Sequence, residues 1–173
     1  LVARIAAEGH EIGNHTWDHP SLPTLGPEAI AEQIARTRAQ LAPHGQALLR
    51  PPYGHQDRNV DLAARRFGYR TICWHATGED WLDRDATTIA GLLLDKVEPG
   101  AIFLLHDSLY SWEEAAVRDR APTIEAVALL AGRLPGWRFV TVSELLAAGA
   151  VRERVWENRP GPGFFETLKT AEA

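Results

Sequence analysis

Apolar positions in this chain alternate between helical and strand-like spacing. Leu1 to Glu8 reads as a helix stopped by Gly9. Pro27 to Leu41 reads as an amphipathic helix, with Pro27 suited to its first turn and Ile30, Ile34 and Leu41 on one face. Asp57 to Phe67 is a third helix, ended by Gly68, and Ala86 to Val97 a fourth, with Ile89, Leu93 and Val97 stacked. Thr123 to Leu134 is a fifth, and Ser143 caps a short sixth that Gly149 ends. Between them lie short apolar runs of strand length: Leu48 to Arg50, Arg70 to Trp74, Ala101 to His106, Arg138 to Val142, and a weaker one from Glu11 to Asn14. Strands separated by helices predict βα units and a parallel sheet or barrel, with reactive groups on the loops after the strands. Residues 1–149 form the predicted domain, and residues 150–173, which include "RPGPG", an irregular tail.

Composition narrows the picture little. With 173 residues, 45% of them hydrophobic and 24% charged, the chain is an ordinary globular one with room for a single sizeable core. A net charge of −5 argues against nucleic acid as a partner, because phosphate binding needs a basic surface. The single cysteine, Cys73, excludes an internal disulfide and a cysteine zinc cluster. No apolar run is long enough to span a membrane as a helix. The chain opens on Leu1 inside a helix with neither a cap nor a Met, so a preceding segment is expected.

The polar residues at the predicted strand ends carry the chemistry. "HTWDH" places His15 and His19 four positions apart, a spacing that lets two imidazoles reach one metal ion if the backbone turns between them. The plain alternative is a surface loop with two unrelated histidines. In "RPPYG", two prolines stiffen the loop after Arg50, whose guanidinium suits an orienting ion pair, while Tyr53 and Gly54 offer backbone N–H groups to an oxyanion. Along Ala101 to His106, alternation puts Leu104 and His106 on one face, with Leu104 an apolar floor beneath the imidazole. A histidine ending an apolar strand is also commonly a satisfied core residue. Asp80 in "EDW" is the predicted partner that holds His106 in one tautomer and favours its protonated form, and Trp81 walls an apolar pocket.

Taken in order, "GHEIGNHTWDHP", "RPPYG", "TGEDW" and "IFLLHD" resemble the polysaccharide deacetylase family, also called carbohydrate esterase family 4 or the NodB homology domain. The likeness runs from about Ala6 to Ala147. It implies an α/β fold, a distorted (β/α) barrel, here N-terminally truncated. It implies a metal-dependent hydrolase that removes N-acetyl groups from N-acetylglucosamine units of chitin or peptidoglycan type, working outside the cytoplasm or in the cell envelope. Through it His15 and His19 correspond to metal ligands, with Zn²⁺ the expected divalent ion. Arg50 corresponds to the arginine that orients the base, Tyr53 to the oxyanion N–H, His106 to the general acid and Asp80 to the aspartate that tunes it. Trp81 and Leu104 correspond to the walls of the acetate pocket. Thr77 departs from an aspartate found in many members. The family's third metal ligand and its base come from an Asp-Asp motif upstream of the histidines, and this sequence contains no Asp-Asp pair. The alternatives are a non-catalytic carbohydrate-binding relative, or a deacetylase of an acetyl ester or a non-sugar amide.

Overall fold

Pro27 fixes φ at a position where no N–H is needed, and the helix it starts, Pro27–Leu41, buries Ile30 and Ile34 completely on one face. This is α2 of a computed structural model that describes residues 1–109, 119–149 and 156–164. The chain divides into two compact units, Leu1–Cys73 with Thr141–Ala173, and Trp74–Val140.

In the first unit, α1 (Val2–Ala7) leads to β1 (Ile12–Asn14), a 3-10 turn at Leu22–Thr24 leads to α2, and β2 (Gly45–Leu49) follows. A second 3-10 turn at Pro52–Gly54 precedes α3 (Arg58–Arg66) and β3 (Arg70–Thr71). The three strands are parallel in the order β1-β2-β3, with Asn14 opposite Leu49 and Leu49 opposite Thr71. Ile30 and Ile34 pack with Leu22, Leu49, Val60, Ala63, Ala64 and Tyr69 into one core. Asp57 caps α3 by accepting hydrogen bonds from the amides of Asn59 (2.9 Å) and Val60 (3.1 Å). Gly68, at φ 76°, ends the segment in the left-handed conformation that glycine adopts without penalty.

The second unit holds β4 (Ala76–Thr77), α4 (Ala86–Leu94), β5 (Phe103–Leu104) and α5 (Ala121–Arg133). β4 and β5 are parallel, with Thr77 opposite Leu104. Ile89, Leu93, Ala126 and Leu130 form the centre of its core. Gly78 lies so close to that core that a Cβ there would meet Ile89 Cγ2 and Leu105 Cδ2 at 2.8 Å each. The fold is mixed α/β with open, unclosed parallel sheets, consistent with a distorted NodB-type barrel.

Two expectations need correcting. Residues 138–141 form no strand, and Val142 is already helical. The run has strand-like composition, but among the described residues no neighbouring strand pairs with it, and Phe139 is 59% exposed. The cap of α6 (Val142–Ala148) is Thr141 rather than Ser143. Thr141 and Glu144 make a reciprocal capping box, and Ser143 sits inside the helix with its N–H donated to Glu11 Oε2 at 3.1 Å. Of the expected tail, residues 150–155 and 165–173 lie outside the described residues, while 156–164 pack as set out below.

Candidate active site

The loop after β1 turns sharply because two of its residues adopt left-handed backbone angles, Thr16 at φ 68° and His19 at φ 54°. Non-glycine residues hold that conformation only when their surroundings over-determine it. Here Asn14, 1% exposed, anchors the loop: its Nδ2 donates to Ile34 O at 3.0 Å, and its Oδ1 accepts from the Thr16 amide at 3.0 Å. From α2, Gln33 Oε1 accepts from the amides of Trp17 and Asp18 at 2.9 Å each, and Arg36 lies 4.4 Å over the Trp17 ring.

The outcome is that the His15 and His19 rings meet, with centroids 4.9 Å apart and planes at 75°. The Arg50 carbonyl lies 2.6 Å from His15 Nδ1. A carbonyl only accepts, so Nδ1 carries the hydrogen and the lone pair sits on Nε2, the tautomer suited to ligation. Two imidazoles sharing one ion at bonds of ~2.0–2.1 Å stand with centroids about 5 Å apart, so the separation of this pair is compatible with two ligands of one ion. Among the described residues no group of three or more His, Cys, Asp or Glu completes the set.

After β2, the Arg50 amide donates to Asn14 O at 2.9 Å, which ties the two loops together. Pro51 and Pro52 are fully buried. Tyr53, at φ 58°, presents its ring edge-on to His19 at 4.8 Å. Of the two amides expected to serve an oxyanion, that of Gly54 is committed to Pro51 O at 3.1 Å. Burial lowers the pKa of the Arg50 guanidinium, opposed in part by the Cys73 charge, and pushes the Cys73 thiol up to about 11. Burial also raises the Tyr53 phenol and lowers the His55 imidazole. Residues 156–164, which no sequence pattern places here, strap this loop. Gln56 and Asn158 exchange two backbone hydrogen bonds of 2.8 Å, Arg159 pairs with Asp57 Oδ2 at 2.8 Å, and Phe164 packs on His55 at 4.6 Å and Tyr53 at 5.5 Å.

The second unit carries the other expected residues. β4 runs into Glu79, at φ 50°, and the turn buries Asp80 to 2% exposure. Asp80 Oδ1 accepts from His106 Nδ1 at 2.9 Å, and Oδ2 from the His106 amide at 2.8 Å. A carboxylate only accepts, so it fixes the hydrogen on Nδ1 of the ring. Burial pushes the Asp80 carboxyl up, but the hydrogen bonds from the His106 ring and amide, with the charges of His106 and Arg120, together hold it below the ordinary carboxylate value. Trp81 stands edge-on to the His106 ring at 5.6 Å. Leu104 is half-buried, and β5 ends with it, so the alternation expected to carry it beneath His106 stops two residues short. Arg120 and Thr123 were not anticipated: they reach Asp80 from 40 and 43 residues away, with no local pattern to mark them.

A family model described as polysaccharide deacetylase matches residues 1–72. A peptidoglycan-N-acetylglucosamine deacetylase of Bacillus cereus is 34% identical over 152 residues, covering 84% of this chain and 68% of that protein. The chain belongs to the polysaccharide deacetylase family. The crystal structure of the Bc1960 peptidoglycan N-acetylglucosamine deacetylase aligns with a TM-score of 0.74 at 27% identity, covering 87% of this chain and 70% of that one. That of BA3943, a carbohydrate esterase family 4 pseudoenzyme from Bacillus anthracis, aligns with a TM-score of 0.73 at 25% identity, covering 84% and 49%. The chain spans 68%, 64% and 29% of the length of three curated relatives it matches.

Proposed function

We propose that this chain carries two metal-ligating histidines and the general acid of a hydrolase that removes N-acetyl groups from N-acetylglucosamine-containing saccharides of chitin or peptidoglycan type. The observation that carries the reading is His106 held by buried Asp80 at 2.9 Å, beside Trp81. With Nδ1 fixed on Asp80, the proton that the charged ring can transfer sits on Nε2. Amide hydrolysis releases an amine, a poor leaving group unless it is protonated as it departs, and a general acid contributes roughly 10²–10⁴ in rate. Trp81, with Leu104, supplies the apolar wall for the acetyl methyl group. Tyr53 offers its amide to the developing oxyanion. Arg50 holds the place of the family's arginine that orients the base. His15 and His19 would hold a divalent ion, Zn²⁺ foremost, which supplies Lewis-acid polarisation of the carbonyl and a lowered water pKa. The family's Asp-Asp motif, source of the base and the third ligand, is not in this sequence. On this reading, a peptidoglycan-type substrate means work outside the cytoplasm or in the cell envelope.

A second reading, a relative that binds carbohydrate without hydrolysing it, draws on the likeness to the Bacillus anthracis pseudoenzyme. The two separate on acetate release by the full-length protein. The panel is N-acetylglucosamine oligomers, peptidoglycan, an acetyl-xylan ester and a non-sugar acetamide, each with and without added Zn²⁺. Metal-dependent release from the N-acetylated sugars, lost in His15→Ala and about 10²–10⁴ lower in His106→Ala with KM unchanged, supports the hydrolase. Binding with no release from any substrate supports the second reading, and release only from the ester or the acetamide moves the substrate class.

A further inference from the structure

The Asp80 carboxylate collects more donors than one ring requires. Among the described residues, Oδ1 accepts from the His106 ring alone, at 2.9 Å. Oδ2 accepts three donors: the His106 amide at 2.8 Å, an Arg120 terminal nitrogen at 2.8 Å and the Thr123 hydroxyl at 3.2 Å. The same Arg120 nitrogen donates to the Asp80 backbone carbonyl at 2.6 Å and to Thr123 Oγ1 at 2.6 Å. Arg120 thus grips the main chain and the side chain of Asp80 together, which blocks rotation of the carboxylate. It is itself rooted at the start of α5, where the Ile124 amide donates to its carbonyl at 3.0 Å and Pro122 stiffens the first turn. All four side chains are shielded, with Arg120 12% and Asp80 0% exposed at the side chain and His106 26%. A hydrogen bond in such surroundings is short of competing water and defines geometry more sharply than one at the surface.

We infer that Arg120 and Thr123 are positioning residues for the general acid: they occupy Oδ2 and the Asp80 carbonyl, and so leave Oδ1 aimed at His106 Nδ1. They act on the ring through Asp80. The bonds from Arg120 to Asp80 and Thr123 leave one terminal nitrogen. An ammonium brought to the same place offers three N–H groups to those three acceptors, so Arg120→Lys keeps the contacts on which the positioning depends. The effect on rate rests on the deacetylase reading above. The effect on the His106 ring does not.

The test uses the full-length protein, ¹⁵N-labelled, with long-range ¹H–¹⁵N spectra recording which nitrogen of neutral His106 carries the hydrogen, and with folding checked by circular dichroism. Wild type shows a single Nδ1–H tautomer. Arg120→Ala and the milder, near-isosteric Thr123→Val give a mixture of tautomers. Both lower kcat by about tenfold or more with KM within about twofold, a part of what a general acid contributes. Arg120→Lys restores the single tautomer and most of kcat. A folded Thr123→Val or Arg120→Ala with the wild-type tautomer and unchanged kcat overturns the inference. So does a folded Arg120→Lys whose ring behaves as a mixture. If Arg120→Ala fails to fold, Thr123→Val and Arg120→Lys decide by the same criteria. If wild type releases no acetate, the deacetylase reading falls and the ring spectra alone judge the positioning.

Discussion

Asp57 makes two kinds of bond with its two oxygens, and the difference can be measured. Oδ1 caps α3 by accepting from the amides of Asn59 and Val60 at 2.9 and 3.1 Å. Oδ2 pairs with Arg159 at 2.8 Å, where the arginine side chain is 62% exposed and that of Asp57 3%. Losing a cap costs typically ~1 kcal/mol and up to about 2. An ion pair with one partner this exposed is screened and contributes at most about 1 kcal/mol. Asp57→Ala removes both and should cost about 2 kcal/mol. Asp57→Asn keeps a carbonyl oxygen for the cap and loses the charge, so it should cost under about 1 kcal/mol. Urea unfolding reads this as a shift in midpoint at unchanged slope. A double-mutant cycle of Asp57→Ala with Arg159→Ala should return a coupling of roughly 0.2–1 kcal/mol. An Asp57→Asn variant as unstable as Asp57→Ala would refute the division between cap and charge, and a coupling above ~2 kcal/mol would show that the strap's ion pair is a main support of the loop.

Gly78→Ala forces a methyl within 2.8 Å of Ile89 and Leu105, and it should destabilise the protein by about 1–3 kcal/mol in urea unfolding; a neutral substitution means the α4 face yields freely. Cys73, with its thiol pushed up to about 11, should react with iodoacetamide at pH 8 roughly 100-fold or more slower in the native protein than in urea, and equal rates would contradict its burial. The Asp80 carboxyl is held below its unfolded value of ~3.9, so its contribution to stability is complete above that pH and is lost as pH falls through the lower folded value. Melting temperature measured against pH should therefore drop less steeply below about pH 4 in Asp80→Asn than in wild type, even though the variant is less stable throughout.

Parts of this architecture are written locally, and parts are not. The helix Pro27–Leu41 could be read to the residue, because Pro27 and the Ile30–Ile34 spacing agree about its start and its face. Thr141 and Glu144 spell a capping box three apart, a stronger local signal than Ser143. Residues 138–142 read as strand because local composition cannot report whether a neighbouring strand pairs with them. β4, two residues long, is too short to show any period. The motif residues were legible as chemistry, whereas the backbone that presents them was not. Thr16, His19, Tyr53 and Glu79 all take positive φ against their own preference, held by surroundings such as Asn14 and Gln33. Arg120 lay beyond sequence reasoning for a related reason, since an arginine before a helix looks the same whether it faces solvent or a carboxylate 40 residues away.

The strap joins residues far apart in the order of synthesis. Arg159 meets Asp57 across 102 positions. At elongation rates of ~5–20 residues per second, the RPPYG loop leaves the ribosome roughly 5–20 s before the segment that covers it. During that interval the faces of Tyr53 and His55 that later meet Phe164 have no cover, and the first unit waits, incomplete, while all of Trp74–Val140 is made. A nascent chain stalled anywhere before Asn158 therefore presents the RPPYG loop without its strap, open to chaperones and proteases that the finished protein excludes.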